Sequence, residues 1–463
     1  MILAAQDHTD ETIVERLTSQ TVRLNEYLGR RQVRRYQRDI WEKGRFELIL
    51  DGADAVRLTF VRSILVARNE LWYGAIAAET GEEWWLLTGA IAEAYPILAV
   101  VRFSEAGNAG ELTRLTDFKS ASPEVLKAKL QRFIACRHGS EIDWSAALSP
   151  ELAIGHVNFA HLAWNEIPAL EYLLTEADRA AACSSVRVEH QPLGQLQELF
   201  PELADFSVEP VDEGQNLNRP DRFMFRVAGS LFTDSAKQRI RRRVEGGRPS
   251  PKIGAFLAEV RRRQAFVVWI TVRTKNRTAL NQADFIRKLV MALLQRPGET
   301  LIVLHGFSPP LDYGSAHARQ KNWSLRVKES MLRMRDYIED VVSELSPEVR
   351  NNIFIAGEYD IVETIHLAKC ASYYVAQPGT AQHIVGWFWE TPGVILAPAQ
   401  ADRIRDWYLH VNESGRAADI VDGNHFELIE SESGKYDRNS LYRICDTDAL
   451  SAGIKELTMQ VRV

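Results

Sequence analysis

At 463 residues the chain is longer than one hydrophobic core usually absorbs, which excludes a single small module and predicts two or three packed units. Hydrophobic residues at 46% and charged residues at 25% exclude a largely disordered, collagen-like or coiled-coil chain. Lys and Arg number 56 against 62 Asp and Glu, a net charge of −6, so the basic excess that a nucleic-acid partner rewards is missing and none is expected.

Cys136, Cys183, Cys370 and Cys445 stand far apart and form no CxxC pair, so neither a zinc site nor a disulfide framework is expected. The first residues turn acidic after Ala5 and lack the basic start and long apolar core of a signal peptide. Apolar stretches such as Ala265 to Val272 are short of the roughly 20 residues of a membrane helix, so no transmembrane segment is expected. These features predict a soluble, cytoplasmic protein.

The stretch to about Arg45 is polar and helix-forming, and Arg30, Arg31, Arg34, Arg35 and Arg38 read as a solvated helix face. From Phe46 to Phe103 short β-branched and aromatic runs alternate with Gly52, Gly81 and Gly89, the pattern of an antiparallel sheet with hairpin turns. Helical spacing of Val125, Leu126, Leu130, Phe133 and Ile134 predicts a helix over Pro123 to Cys136. The pattern then becomes mixed: helix over Asn158 to Thr175, strand at Ser185–Val188, short helix at Leu193–Leu199, strand at Phe206–Pro210. The basic segment Thr233 to Gln264 reads as a linker carried on two helices.

Beyond it nine elements alternate without a break, from a strand at Phe266–Val272 to a strand at Gly393–Leu396. Parallel neighbours need crossover helices, so this half is predicted to be a doubly wound sheet of Rossmann type. The expected division is 1–150 for a helical and antiparallel β extension, 151–245 for a first Rossmann-like lobe and 246–463 for a second. The fold class is α/β.

Open sheets of this kind bind ligands beyond the carboxyl ends of their strands, which selects the residues just after each strand. Arg273, Lys275 and Arg277 follow the first strand of the later lobe, where guanidinium forks match anion oxygens. His305 ends the next strand, and Glu358 follows the third, with Asp360 placed to cap a helix. At the fourth junction Gln377-Pro378-Gly379 leads into a helix opening at Thr380, whose backbone N–H groups form an anion cradle. Neither G-x-G-x-x-G nor G-x-x-x-x-G-K-[ST] occurs, which disfavours a nicotinamide enzyme or a P-loop ATPase. In the earlier lobe His156 and Asn158 precede a helix on which His161 and Asn165 lie one turn apart, followed by Glu166. A histidine facing a cleft, titrating near neutrality, can take a proton from a hydroxyl. No H-E-x-x-H or D-x-D element accompanies these residues, so no metal is required.

Three segments carry a resemblance. Asn158-Phe-Ala-His-Leu-Ala-Trp-Asn-Glu-Ile-Pro-Ala-Leu170, Ile270 to Asn281 with Arg273, Arg277 and Asn281, and Ala371 to Ile384 with Ala371, Val375 and Gly379 resemble motifs of two-Rossmann-domain (GT-B) glycosyltransferases. More narrowly they resemble glycosyltransferase family 61, typified by plant xylosyltransferases and related protein O-linked N-acetylglucosaminyltransferases. Glu166 falls one residue late against that pattern and Ile167 stands where leucine is usual. Ala376, Pro378, Thr380 and Ile384 replace its glycine, histidine, alanine and asparagine. The resemblance spans roughly residues 155 to 400.

The resemblance implies metal-independent transfer of a sugar from a nucleotide-sugar donor, a substrate rather than a cofactor, to a saccharide or other glycan acceptor, as in polysaccharide biosynthesis. The donor diphosphate would lie against Arg273, Lys275, Arg277, His305, Glu358, Gln377, Gly379 and Thr380. The acceptor would lie near His156, Asn158 and Asn165, with His161 or else Glu166 as base and the chemistry in a cleft between the lobes. Two rivals are a non-catalytic sugar- or nucleotide-binding protein and a sugar-nucleotide epimerase or hydrolase of similar build.

Overall fold

The computed structural model describes residues 14–15, 19–29, 32–50, 56–67, 70–103, 109–116, 121–137, 144, 148–177, 182–211, 219, 221–275, 278–313, 323–398, 402, 404–405, 410–415, 418–421, 423–429 and 441–461. The chain forms two compact units, one of residues 1–191 and 195–232, the other of 192–194 and 233–463.

The first unit opens with β1 (Val14–Glu15), α1 (Ser19–Asn25), a hairpin of β2 (Tyr27–Leu28) and β3 (Val33–Arg34), and α2 (Arg35–Lys43). Then come β4 (Phe46–Leu50), β5 (Val56–Ala67), β6 (Glu70–Ala77), β7 (Glu83–Thr88), β8 (Ile97–Phe103), β9 (Ala109–Arg114) and α3 (Pro123–Arg137). The seven-stranded sheet runs β1-β9-β8-β7-β6-β5-β4, antiparallel at every pair except β1–β9, as the hairpin spacing predicts. Phe133 of α3 stacks on Trp72 with centroids 4.3 Å apart and packs on Trp85 at 4.9 Å, placing the aromatic pattern of this region in a core. The expectation of solvated arginines is corrected at Arg34. Its buried guanidinium donates to the carbonyl of Asn25 at the end of α1 and to those of Glu93 and Ala94, the latter in a left-handed turn, so one planar fork serves three acceptors.

A second sheet in this unit contains β10 (Ser149–Ile154), β11 (Ser185–Val188), β12 (Ser207–Pro210) and β13 (Arg222–Phe225). All its pairs are parallel, in the order β12-β11-β10-β13. Between β10 and β11 runs one helical rod made of α4 (Phe159–His161), a π-helical segment (Leu162–Glu166) and α5 (Ile167–Glu176). Between β11 and β12 lies the short α6 (Leu196–Leu199).

The second unit begins with α7 (Asp234–Glu245) and α8 (Pro251–Arg263). It continues as β14 (Phe266–Thr271), α9 (Gln282–Leu294), β15 (Thr300–His305), α10 (Trp323–Ser343), α11 (Pro347–Arg350) and β16 (Ile353–Ala356). Next come α12 (Ile361–Ala368), β17 (Tyr373–Ala376), α13 (Thr380–Gly386), β18 (Gly393–Leu396) and β19 (Asp419–Val421), then a hairpin of β20 (Phe426–Ile429) and β21 (Leu441–Ile444), and α14 (Thr447–Met459). The sheet order β16-β15-β14-β17-β18-β19, parallel throughout, is the doubly wound order in which winding reverses beside the first strand. Val268, Ile270, Ile302, Leu304, Val375 and Val394 of the strands pack with Leu289 of α9, Ile338 of α10 and Ile454 of α14, so the apolar runs are core strands as the sequence predicts. The fold is therefore α/β with two Rossmann-like parallel sheets and an antiparallel extension.

The linker expected over Thr233 to Gln264 is instead part of the second unit. Ile240, Val244 and Ile253 are buried there, and Arg241 ion-pairs with Glu390 and donates to the Phe388 carbonyl. Basic residues on an amphipathic helix keep their charge at the rim while the apolar stripe packs, so charge alone did not mark a boundary.

Candidate functional site

In an open parallel sheet the place for a ligand is where neighbouring connections leave in opposite directions, beside the first strand. In the first unit that place is the carboxyl ends of β10 and β13; in the second it is the carboxyl ends of β14 and β17.

At the first of these, Asn158 caps α4, its Oδ1 accepting from the Ala160 N–H at 3.1 Å, while its own N–H donates to His156 Nδ1 at 3.0 Å. The rod then widens to π geometry. Pro168 has no N–H to offer the Trp164 carbonyl, and Ile167 reaches back to the Leu162 carbonyl instead. The carbonyl of Asn165 accepts from the Gly229 N–H at 2.8 Å, and Asn165 Nδ2 donates to the Gly229 carbonyl at 2.6 Å. This two-point clasp joins the helix to the loop after β13. A glycine is required there because a Cβ would collide with the carbonyl of Gln32. Asn165 Oδ1 meets His161 Nδ1 at 2.9 Å. His161 is half-buried, with the His156 ring 4.9 Å away edge-on and the half-buried Trp164 ring at 5.5 Å. His156, Asn158, His161 and Asn165 are thus brought together as their spacing predicts.

Glu166 has a different part. It is fully buried, and its Oε2 accepts from the N–H groups of Gly155 at 3.1 Å and His156 at 2.8 Å, so it pins the loop that carries His156. Burial pushes its carboxyl up to about 7, against the opposing pull of Arg226 and the two N–H donors. A carboxyl so enclosed is scaffolding for the loop rather than the base the sequence offered as an alternative to His161. Arg226, at the end of β13, pairs with Glu189, which follows β11; both are buried.

In the second unit Arg273 Nη2 donates to the Pro378 carbonyl at 2.6 Å, so the guanidinium lies against the turn that leads into α13. Gly379 has φ 133°, and a Cβ there would stand 2.6 Å from Arg273 Nη2. Close approach of the arginine therefore demands glycine as well as the backbone angle does. Buried amides hold this junction from beneath. Gln282 at the start of α9 accepts from the Arg273 N–H at 3.0 Å and donates to the Arg273 carbonyl at 2.8 Å. Gln377 Nε2 donates to Gln282 Oε1 at 3.3 Å, and Thr271 Oγ1 donates to Gln377 Oε1 at 2.9 Å. Thr380 begins α13, whose first N–H groups have no acceptor within the helix. Arg273, Gln377, Gly379 and Thr380 converge.

Other expected residues lie apart from that convergence. Lys275 is exposed, its Nζ 3.5 Å from Ser330 Oγ of α10, and Arg277 lies outside the described residues. His305 is buried, its Nε2 2.8 Å from Ser308 Oγ, and Ser308 is bonded in turn to Thr364 at 2.7 Å. Burial lowers its ring to about 3, so it is a neutral strut for the loop after β15. Glu358 is an exposed partner of Lys252 at 2.7 Å. Asp360 caps α12 as expected, accepting from Val362 and Glu363 N–H groups at 2.8 and 2.9 Å. Among the described residues no three His, Cys, Asp or Glu side chains are grouped to hold a metal ion, and no helix is long and apolar enough to cross a membrane.

Sequence reasoning missed Gln282, Thr271, Gly229 and the Arg226–Glu189 pair. Gln282 carried a readable signal, since it falls on the stripe of Phe285, Ile286, Leu289 and Leu293 and so had to be buried.

No protein-family model matches the chain, and none of the curated proteins does. Among solved structures it is similar to a glycosyl transferase family 9 protein from Veillonella parvula, at 10% identity and TM-score 0.35 over 70% of this chain and 97% of that one. It is also similar to UDP-GlcNAc 2-epimerase from Methanocaldococcus jannaschii, at 12% identity and TM-score 0.27 over 67% of this chain and 77% of that one. A third is the pneumococcal O-GlcNAc transferase GtfA, at 10% identity and TM-score 0.24 over 90% of this chain and 75% of that one.

Proposed function

We propose that the chain is a glycosyltransferase that moves a sugar from a nucleotide-sugar donor to a saccharide acceptor. The observation that carries this reading is the convergence of Arg273 on the Pro378–Gly379 turn at the winding reversal of the second unit's sheet. A fixed guanidinium fork beside helix-start amides suits a diphosphate, whose negative charge grows as it departs. Arg273 supplies that charge stabilisation in this reading, and a divalent cation is not required.

His161 is the proposed base. The acceptor hydroxyl oxygen forms its bond to the anomeric carbon, the bond from that carbon to the diphosphate oxygen breaks with its electron pair leaving on the diphosphate, and the hydroxyl proton passes to the imidazole. Trp164, half-buried and 5.5 Å from the His161 ring, offers an aromatic surface for the apolar face of an acceptor sugar.

The test incubates the full chain with a panel of nucleotide sugars, with and without saccharides, after treatment with a chelator. Nucleotide release that depends on added saccharide is the expected result. Release without an acceptor, an epimerised donor, or binding without turnover would each replace transfer by hydrolysis, epimerisation or mere binding.

A further inference from the structure

The clasp between Asn165 and Gly229 fixes more than backbone. A carbonyl oxygen only accepts, so the Asn165 group facing the Gly229 carbonyl at 2.6 Å is the amide nitrogen. The group 2.9 Å from His161 Nδ1 is therefore the amide oxygen, which also only accepts. The amide cannot flip without setting its oxygen against the Gly229 carbonyl. The main chain of the residue is fixed too, because the Asn165 carbonyl is held by the Gly229 N–H at 2.8 Å. A hydrogen bond between His161 and this oxygen requires a proton on Nδ1.

We infer that Asn165 is a positioning residue that locks neutral His161 as its Nδ1–H tautomer, leaving Nε2 as the basic nitrogen. The inference deepens the proposed function and rests on it only where Nε2 is said to take the acceptor proton. Asn165 lies within the π-helical segment Leu162–Glu166, and its backbone carbonyl accepts from the Gly229 N–H. The neighbouring His156 accepts from the Asn158 N–H through Nδ1, so its neutral ring carries the opposite tautomer.

The experiment is nitrogen NMR of the full chain labelled with ¹⁵N-histidine, at a pH where the ring is neutral, with the His161 signals identified by their loss in His161→Gln. Wild type is expected to show a protonated Nδ1 and a bare Nε2. Asn165→Ala should shift His161 toward the Nε2–H form, and its kcat should fall at least about tenfold with donor affinity unchanged. An Nε2–H pattern in wild type overturns the inference without any variant having to fold, and so does an unchanged tautomer in a folded Asn165→Ala protein. If the tautomer follows Asn165 while His161→Gln retains full turnover, the lock stands and the assignment of His161 as base fails.

Discussion

Replacing Glu166 by Gln turns the burial of that carboxyl into a measurable pH dependence. In the unfolded chain the group titrates near its ordinary value of 4.5, and in the folded protein burial raises it to about 7. The folded state thus holds a proton that the unfolded state has released, and stability falls as pH rises between those values. The contribution is fully present below 4.5 and is lost as pH passes through about 7. At about 1.4 kcal/mol per pH unit the whole loss is about 3 kcal/mol. Glutamine keeps an oxygen to accept from Gly155 and His156 but has no proton to exchange, and every other titrating group is common to both proteins. The assay is urea unfolding of the first unit at pH 5, 6, 7 and 8, taken as wild type minus variant. The difference should move against wild type by about 2.5 kcal/mol from the lowest pH to the highest. A difference that stays flat with pH refutes the assignment of a raised carboxyl and the burial argument behind it.

Arg273→Ala removes a charge-assisted contact of about 1.5–3 kcal/mol, so calorimetry should show nucleoside diphosphate binding weakened about 10- to 100-fold, and Arg273→Lys should recover only part of it. Unchanged affinity would remove Arg273 from the donor site. His161→Ala should lower kcat by about 10²- to 10⁴-fold while donor affinity, measured by the same titration, holds; equal turnover would take it out of the chemistry. Gly229→Ala forces a methyl into the Gln32 carbonyl and should cost more than about 2 kcal/mol in urea unfolding. Gly453→Ala, exposed on α14 with nothing within 4 Å of its added carbon, should instead stabilise by about 0.5–1 kcal/mol.

The doubly wound unit was the most legible part because strands buried on both faces, such as Phe266–Thr271 and Thr300–His305, read as unbroken apolar runs. The strands of the other parallel sheet were harder. Ser149–Ile154 contains Pro150 and a buried Glu151, which accepts from Ser185 Oγ at 3.0 Å, and Arg222–Phe225, though mostly apolar, is only four residues long. Topology singled out the residues after strands, yet their directions depend on partners remote in sequence. Arg273 is aimed by Pro378 and Gln282, and Lys275, two residues on, reaches Ser330 instead. Asn165 looked like an acceptor contact because its partner Gly229 lies 64 residues away, in a loop with no motif of its own. His305 and Arg34 show the converse: polar type and strand-end or helix-face position suggested exposure, while burial and hydrogen bonds to neighbouring loops made them struts.

The most direct test of donor binding is a crystal of the full chain soaked with a nucleoside diphosphate. The expected result is a diphosphate with its oxygens on the Arg273 guanidinium and on the backbone N–H groups where α13 begins at Thr380. A nucleotide bound elsewhere, with Arg273 still bonded to the Pro378 carbonyl and touching no phosphate, would contradict it.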